Sequence, residues 1–142
     1  MSGMSNSIMK TSSLTYISVG IGGMLGASLR YFISIWVQDT FSLFPWATFT
    51  VNLTGAFLLS FLLFLPITKE KVPPFIFTGV TTGLLGAYTT FSTFTLEMIQ
   101  LAETHLFISL TYMFFSIIGG LGCSFIGYKL ARLIPKGGNR SW

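Results

Sequence analysis

Charge is what this chain has least of. Only 8% of its 142 residues are Asp, Glu, Lys or Arg, against roughly 25% in an ordinary soluble domain, while 51% are hydrophobic. A chain this short has too little interior for so much apolar surface, because small domains keep a large share of their area outside. The apolar majority is therefore expected to face lipid or other helices, in one membrane domain covering residues 1–142. Cysteine is nearly absent too: Cys123 stands alone inside an apolar run, which leaves no disulfide framework and no thiolate metal site, only a small packing residue. Clustered positive charge is also lacking. The net charge is +4, but the basic residues sit almost wholly between or beyond the apolar runs, so nucleic acid is not an expected partner. No nucleotide motif and no paired carboxylate points to an energy source, and no enzymatic activity is expected.

What the chain has instead is long apolar runs. Four of them, at about 14–37, 45–67, 74–96 and 106–128, meet the roughly 20 residues of helix needed to cross a hydrocarbon core. Three carry no charge, and the exception is Arg30 in the first. The connections 38–40, 68–71 and 100–105 are short and polar, which predicts an all-α, compact antiparallel bundle of four spans. Residues 1–13 could open a signal peptide, but the apolar stretch after them exceeds the usual roughly 7–15 residues and lacks a small-x-small cleavage site, so it is expected to be retained. Positively charged segments resist crossing the bacterial inner membrane. Outside the spans, Lys10, Lys69, Lys71, Lys129, Arg132, Lys136 and Arg140 all fall at the two ends or in the second connection, and none in the first or third. Both termini are therefore expected in the cytoplasm.

Small residues recur at four-residue spacing: Gly22 and Gly26, Gly79 and Gly83, then Gly119, Cys123 and Gly127. Such ridges let helix backbones approach closely in lipid. A short echo, Gly23-Met-Leu-Gly26-Ala27 against Gly83-Leu-Leu-Gly86-Ala87, covers too few positions to establish a duplication.

Within the third run, Thr89, Thr90, Ser92, Thr93 and Thr95 place five hydroxyls in seven residues. One Ser or Thr in a membrane helix commonly bonds back to a carbonyl a turn earlier. A cluster beside glycines, with four Thr of weak helix propensity, suggests a helix broken near the bilayer centre. Freed backbone groups at that depth survive only where protein, an ion or a watery cavity satisfies them, so the break points to a binding site. Phe91 and Phe94 share a face of the helix that resumes. Their rings are either lipid contacts or, edge-on, weakly electropositive donors that hold an anion without trapping it, as conduction requires.

Thr48 and Asn52 are four apart in the second run, and Tyr112 and Ser116 in the fourth, so each pair shares a face. They serve either helix–helix hydrogen bonding or a pathway; together their donors favour an anion. Arg30 is costly inside a bilayer. It shares a face with Gly26 and Ser34, and either lines an aqueous vestibule or clamps a carbonyl or Glu97.

These residues resemble the Fluc (CrcB) family of fluoride channels. The likeness rests on Gly86-x-x-Thr89-Thr90-Phe91-Ser92-Thr93-Phe94 followed by Glu97, on Gly23-x-x-Gly26-Ala27-x-x-Arg30-Tyr31, on Thr48-x-x-x-Asn52-x-x-Gly55 and on Tyr112-x-x-x-Ser116. The resemblance implies an antiparallel, dual-pore dimer of four-helix subunits. It implies a fluoride pathway along Asn52, Phe91 and Phe94, with Thr48, Ser92, Thr93, Tyr112 and Ser116 as hydroxyls and Arg30 near the vestibule. It further implies a structural Na+ at the dimer centre, held by backbone carbonyls of Gly86 and Thr89 from both subunits. Two local departures are Ala47, where the family commonly has Gly, and Ala87-Tyr88, often Gly-Leu, which adds bulk beside the ion site.

The implied activity is passive, fluoride-selective export from the cytoplasm across the inner membrane. Seven orienting charges against none predict insertion one way only, hence pairing with an oppositely oriented homologue. The alternatives are a proton-coupled multidrug-type exporter, expected to carry an acid in its first span where Arg30 stands, and a non-conducting assembly subunit.

Overall fold

A computed structural model of the chain describes residues 2–37, 43–66 and 71–135, with side chains from Ser12 onward. The first connection, residues 68–70 of the second, Lys136 and Arg140 lie outside the described residues. All regular structure among those described is helical.

The first apolar run lies in α1 (Ser2–Val37) and the second in α2 (Trp46–Phe64). α2 stops where Leu65 turns extended, at ψ 118°, because the ring of the following Pro66 disfavours a helical residue before it. The third run is not one helix. α3 (Pro74–Thr78) opens with proline at its start, where the missing N–H has no helical partner to lose. It passes into a π-helical stretch, Gly79–Leu84, then into the short α4 (Leu85–Tyr88), and there the helix ends. Helix resumes as α5 (Ser92–Thr104), and α6 (Leu106–Leu133) carries the fourth run.

The third connection is smaller than its polarity suggested. Residues 100–104 are helical and the chain turns on His105, whose carbonyl accepts the N–H groups of Ile108 and Ser109 at 3.0 and 3.1 Å. Gln100, Leu101, Ala102 and Glu103 are good helix formers, and polarity alone does not end a helix. Among the described residues, three helices are long and apolar enough to cross a membrane: Ser12–Val37, Trp46–Phe64 and Leu106–Leu133.

The glycine ridges bring backbones together in two pairs. A methyl group added at Gly22 would collide with the Gly79 carbonyl, and one at Gly26 with the Leu84 carbonyl, so α1 lies directly on the π-helical stretch. On the other side, a Cβ at Gly127 would meet the Phe57 carbonyl and one at Gly119 would stand 3.2 Å from Leu53, which seats α6 on α2. Ser60 adds a bond between that pair, its hydroxyl donating to the Ser124 carbonyl at 2.7 Å. Interhelical hydroxyl bonds of this kind are the usual supplement to close packing in lipid.

Where the two pairs meet, Val51, Leu85 and Tyr88 form a small buried cluster flanked by Ile33 and Leu59. Most large apolar side chains point the other way: Trp36 is 90% exposed and Phe107 83%. Water tolerates few contiguous patches of that kind; lipid requires them.

Candidate functional site

The interruption after Tyr88 is gripped by three residues of α2. Thr54 Oγ1 and the Tyr88 hydroxyl hydrogen-bond at 2.8 Å. Gly55 lies under Thr89, and a Cβ there would collide with the Thr89 methyl. Asn52 takes both backbone groups of Thr90: its Nδ2 donates to the Thr90 carbonyl at 2.9 Å, and the Thr90 N–H donates to its Oδ1 at 2.8 Å. In a continuous helix that N–H would bond to the Gly86 carbonyl four residues back. Thr89 is extended, with ψ 158°, and the next helix is closed by Thr90, whose Oγ1 accepts the Thr93 N–H at 3.1 Å in the manner of an N-cap. The bulk of Tyr88 is turned into the core, 7% exposed, and away from Gly86, which faces outward and would leave an added Cβ in open space.

The five clustered hydroxyls divide by partner. Thr89 bonds back to the Leu85 carbonyl at 3.0 Å and Thr95 to that of Phe91 at 2.9 Å, as isolated hydroxyls in helices do. The other three interlink: Thr90 Oγ1 donates to Thr93 Oγ1 at 3.0 Å and lies 3.3 Å from Ser92 Oγ.

Two cavities adjoin this segment. The first, of about 410 Å³, brings together Asn52, Gly86, Thr89, Phe91, Phe94 and Ser116. Phe94 is 9% exposed, and its ring centre lies 5.1 Å from that of Tyr112 and 6.0 Å from that of Phe91. Phe91 itself is 78% exposed, at the surface of the chain. Ser116 Oγ is buried with no hydrogen-bond partner, the one such side-chain atom among the described residues. An unpaired buried hydroxyl is costly, and here it borders a cavity that also offers the second Asn52 amide hydrogen.

The second cavity, of about 490 Å³, places Arg30, Thr48, Thr93 and Glu97 on its walls. In the sequence Glu97 stands at the end of the third-run motif and as one of two partners open to Arg30. Here its two oxygens accept from the Thr48 hydroxyl at 2.8 Å and the Tyr112 hydroxyl at 2.9 Å. The carboxylate thus ties α2, α5 and α6 together, while Arg30 stands on the same cavity wall. The spacing of one acid from hydroxyls on two other helices holds no sequence signal that would have paired them.

The sequence candidates therefore fall into groups. Asn52, Phe91, Phe94 and Ser116 share one cavity with Gly86 and Thr89, whereas Arg30, Thr48 and Thr93 share the other. Ser92 is exposed beside Phe91, and Tyr112 is fully buried, bonded to Glu97 and lining neither cavity.

Long apolar helices with outward apolar faces, and an amide, hydroxyls and rings turned onto internal cavities, define a multi-pass membrane protein. The chain belongs to the CrcB family: residues 17–128 match the family described as CrcB-like protein, Camphor Resistance (CrcB). It is similar to Fluoride-specific ion channel FluC 1 of Desulfitobacterium hafniense, 42% identical over 115 residues that cover 80% of this chain and 99% of that one. It is also similar to Fluoride-specific ion channel FluC 1 of Bacillus cereus, 42% identical with 87% of this chain and 91% of the relative covered. A third relative, Fluoride-specific ion channel FluC 2 of Geobacillus kaustophilus, is 39% identical, with 88% and 98% covered.

Proposed function

We propose that this chain is one subunit of a passive, fluoride-selective channel in the bacterial inner membrane, letting fluoride leave the cytoplasm. The observation that carries this, beside membership of the family, is the cavity shared by Asn52, Phe91, Phe94 and Ser116. Its donors are a spare amide hydrogen, an unpartnered hydroxyl and aromatic rings. Each attracts a small anion and none holds a full positive charge, so binding stays weak enough for release. Arg30, on the other cavity, supplies the charge that draws anions toward the entrance.

The functional unit is an antiparallel dimer with two pathways. Phe91 and Gly86, both exposed on the single subunit, are what a partner would cover. Because the orienting charges all favour one insertion, the partner is an oppositely oriented homologue and both termini of this chain are cytoplasmic.

The family implies a structural Na+ at the dimer centre, and the residues fit one. Gly86 is exposed and bare of side chain, and its carbonyl has lost the Thr90 N–H to Asn52. Backbone oxygens are the hard donors that such a cation takes. Gly86 and Thr89 of both subunits would hold it, and its charge would fix the two broken helices against each other.

Fluoride efflux from proteoliposomes, driven by voltage without a pH gradient, tests the proposal. Flux that requires a pH gradient would replace the channel by a coupled exporter; no flux with the partner present would leave an assembly role.

A further inference from the structure

We propose that Thr90 is the transfer point of the pathway, its hydroxyl handing the anion from the cavity of Arg30 to the cavity of Phe94. This rests on the channel reading above and adds a residue to it. Among the described residues Thr90 alone lines both cavities. It is 9% exposed, a thin wall with space on either side.

The backbone of this wall is tied to a second helix and its hydroxyl is tied only locally. Asn52 holds the Thr90 carbonyl and N–H together, which opposes any swing of the chain aside. The hydroxyl is held only by its neighbours, donating to Thr93 Oγ1 at 3.0 Å, accepting the Thr93 N–H at 3.1 Å and lying 3.3 Å from Ser92 Oγ. Thr93 lies on the Arg30 side. On the other side stand the Asn52 amide and the unpartnered Ser116 hydroxyl. The interlinked hydroxyls therefore run from one cavity to the edge of the other, with Thr90 between.

A hydroxyl has one hydrogen to donate. Turned from Thr93 to an arriving fluoride, it exchanges a neutral hydrogen bond for a charge-assisted one, which is stronger. The cost of breaking the Thr90–Thr93 bond is thus offset as the anion arrives. Once the anion passes, Asn52 Nδ2 and Ser116 Oγ offer the next donors and the Thr90 hydroxyl returns to Thr93. No bond to the anion is a salt bridge, so no step traps it.

The test measures voltage-driven fluoride efflux from proteoliposomes holding the wild type, T90V, T90A and T90S, each purified with the partner that accompanies it. Losing one charge-assisted donor should slow T90V and T90A by about tenfold or more, while T90S stays within about threefold of the wild type. T90A is the decisive variant, because it widens the wall as it removes the hydroxyl: efflux at or above the wild-type rate overturns the proposal and makes Thr90 an obstacle. T90S as slow as T90A also overturns it, since the hydroxyl is then present without effect. Gel filtration separates failed assembly from failed transfer; where T90V does not assemble, T90A and T90S decide. A wild type without efflux would instead overturn the channel reading itself.

Discussion

Asn52 and Thr90, 38 positions apart in sequence, bind each other twice, amide to carbonyl and amide N–H to side-chain oxygen, at 2.9 and 2.8 Å. One side chain thereby satisfies both main-chain groups of a residue inside the non-helical stretch between Tyr88 and Ser92. Without it they would be stranded, since lipid offers no replacement.

Asn52→Leu should therefore destabilise the fold as well as stop conduction. Each orphaned group costs about 1–3 kcal/mol, so a loss of roughly 2–6 kcal/mol is expected for the two in thermal or denaturant unfolding in detergent. Asn52→Asp keeps the acceptor for the Thr90 N–H and loses the donor, so its stability should fall between the two. An Asn52→Leu protein as stable as the wild type would mean that the clamp is not what supports the break.

Phe94→Ile keeps an apolar side chain against Tyr112 and removes the ring edge. The expected outcome is efflux reduced by about tenfold or more, with an assembled protein whose stability falls by only about 0.5–1.5 kcal/mol, the scale of a lost aromatic pair. Undiminished efflux would remove Phe94 from the pathway.

The glycines of α1 give a comparison within one helix. A Cβ at Gly22 or Gly26 would collide with backbone carbonyls of the π-helical stretch, whereas one at Gly23 meets nothing within 4 Å. Backbone cannot yield as a side chain does. Gly22→Ala and Gly26→Ala should each cost about 1–3 kcal/mol or prevent assembly, and Gly23→Ala should stay within about 0.5 kcal/mol. Equal effects at the three positions would show that α1 does not seat on this stretch.

Replacing Na+ by a large organic cation should lower efflux and loosen the dimer on gel filtration, with recovery when Na+ returns. Full activity after exhaustive exchange would dissociate Gly86 and Thr89 from any cation role.

Both ends of the chain should be cytoplasmic. Single cysteines introduced near each terminus, in a Cys123→Ser background, should resist a membrane-impermeant thiol reagent in intact cells and react after lysis. A large fraction labelled in intact cells would show dual insertion and return the homodimer to favour.

Much of this was legible from residue type alone. Scarce charge and long apolar runs require a membrane, because no soluble core of this size could hide them. The four-residue ridges at Gly22, Gly26, Gly79 and Gly83 anticipated where backbones touch. In the structure one helix ends at Tyr88 and the next begins at Ser92, with the hydroxyl cluster on and after the gap.

The pairing of polar groups was not legible, because it depends on which helices become neighbours. Thr48 and Asn52 share one face of α2, yet one is bonded to Glu97 and the other to Thr90. Likewise Tyr112 and Ser116 share a face of α6, and only Ser116 keeps its hydroxyl unpartnered beside a cavity. Thr90 had looked like one hydroxyl among five, and packing made it the wall between two cavities.

The sequence by itself determined the solvent of this protein, which follows from its scarce charge and long apolar runs. Which polar groups pair and which are left unpartnered was decided only by the tertiary structure. A hydrogen bond needs its partner within about 3 Å, and in a bundle that partner comes from another helix.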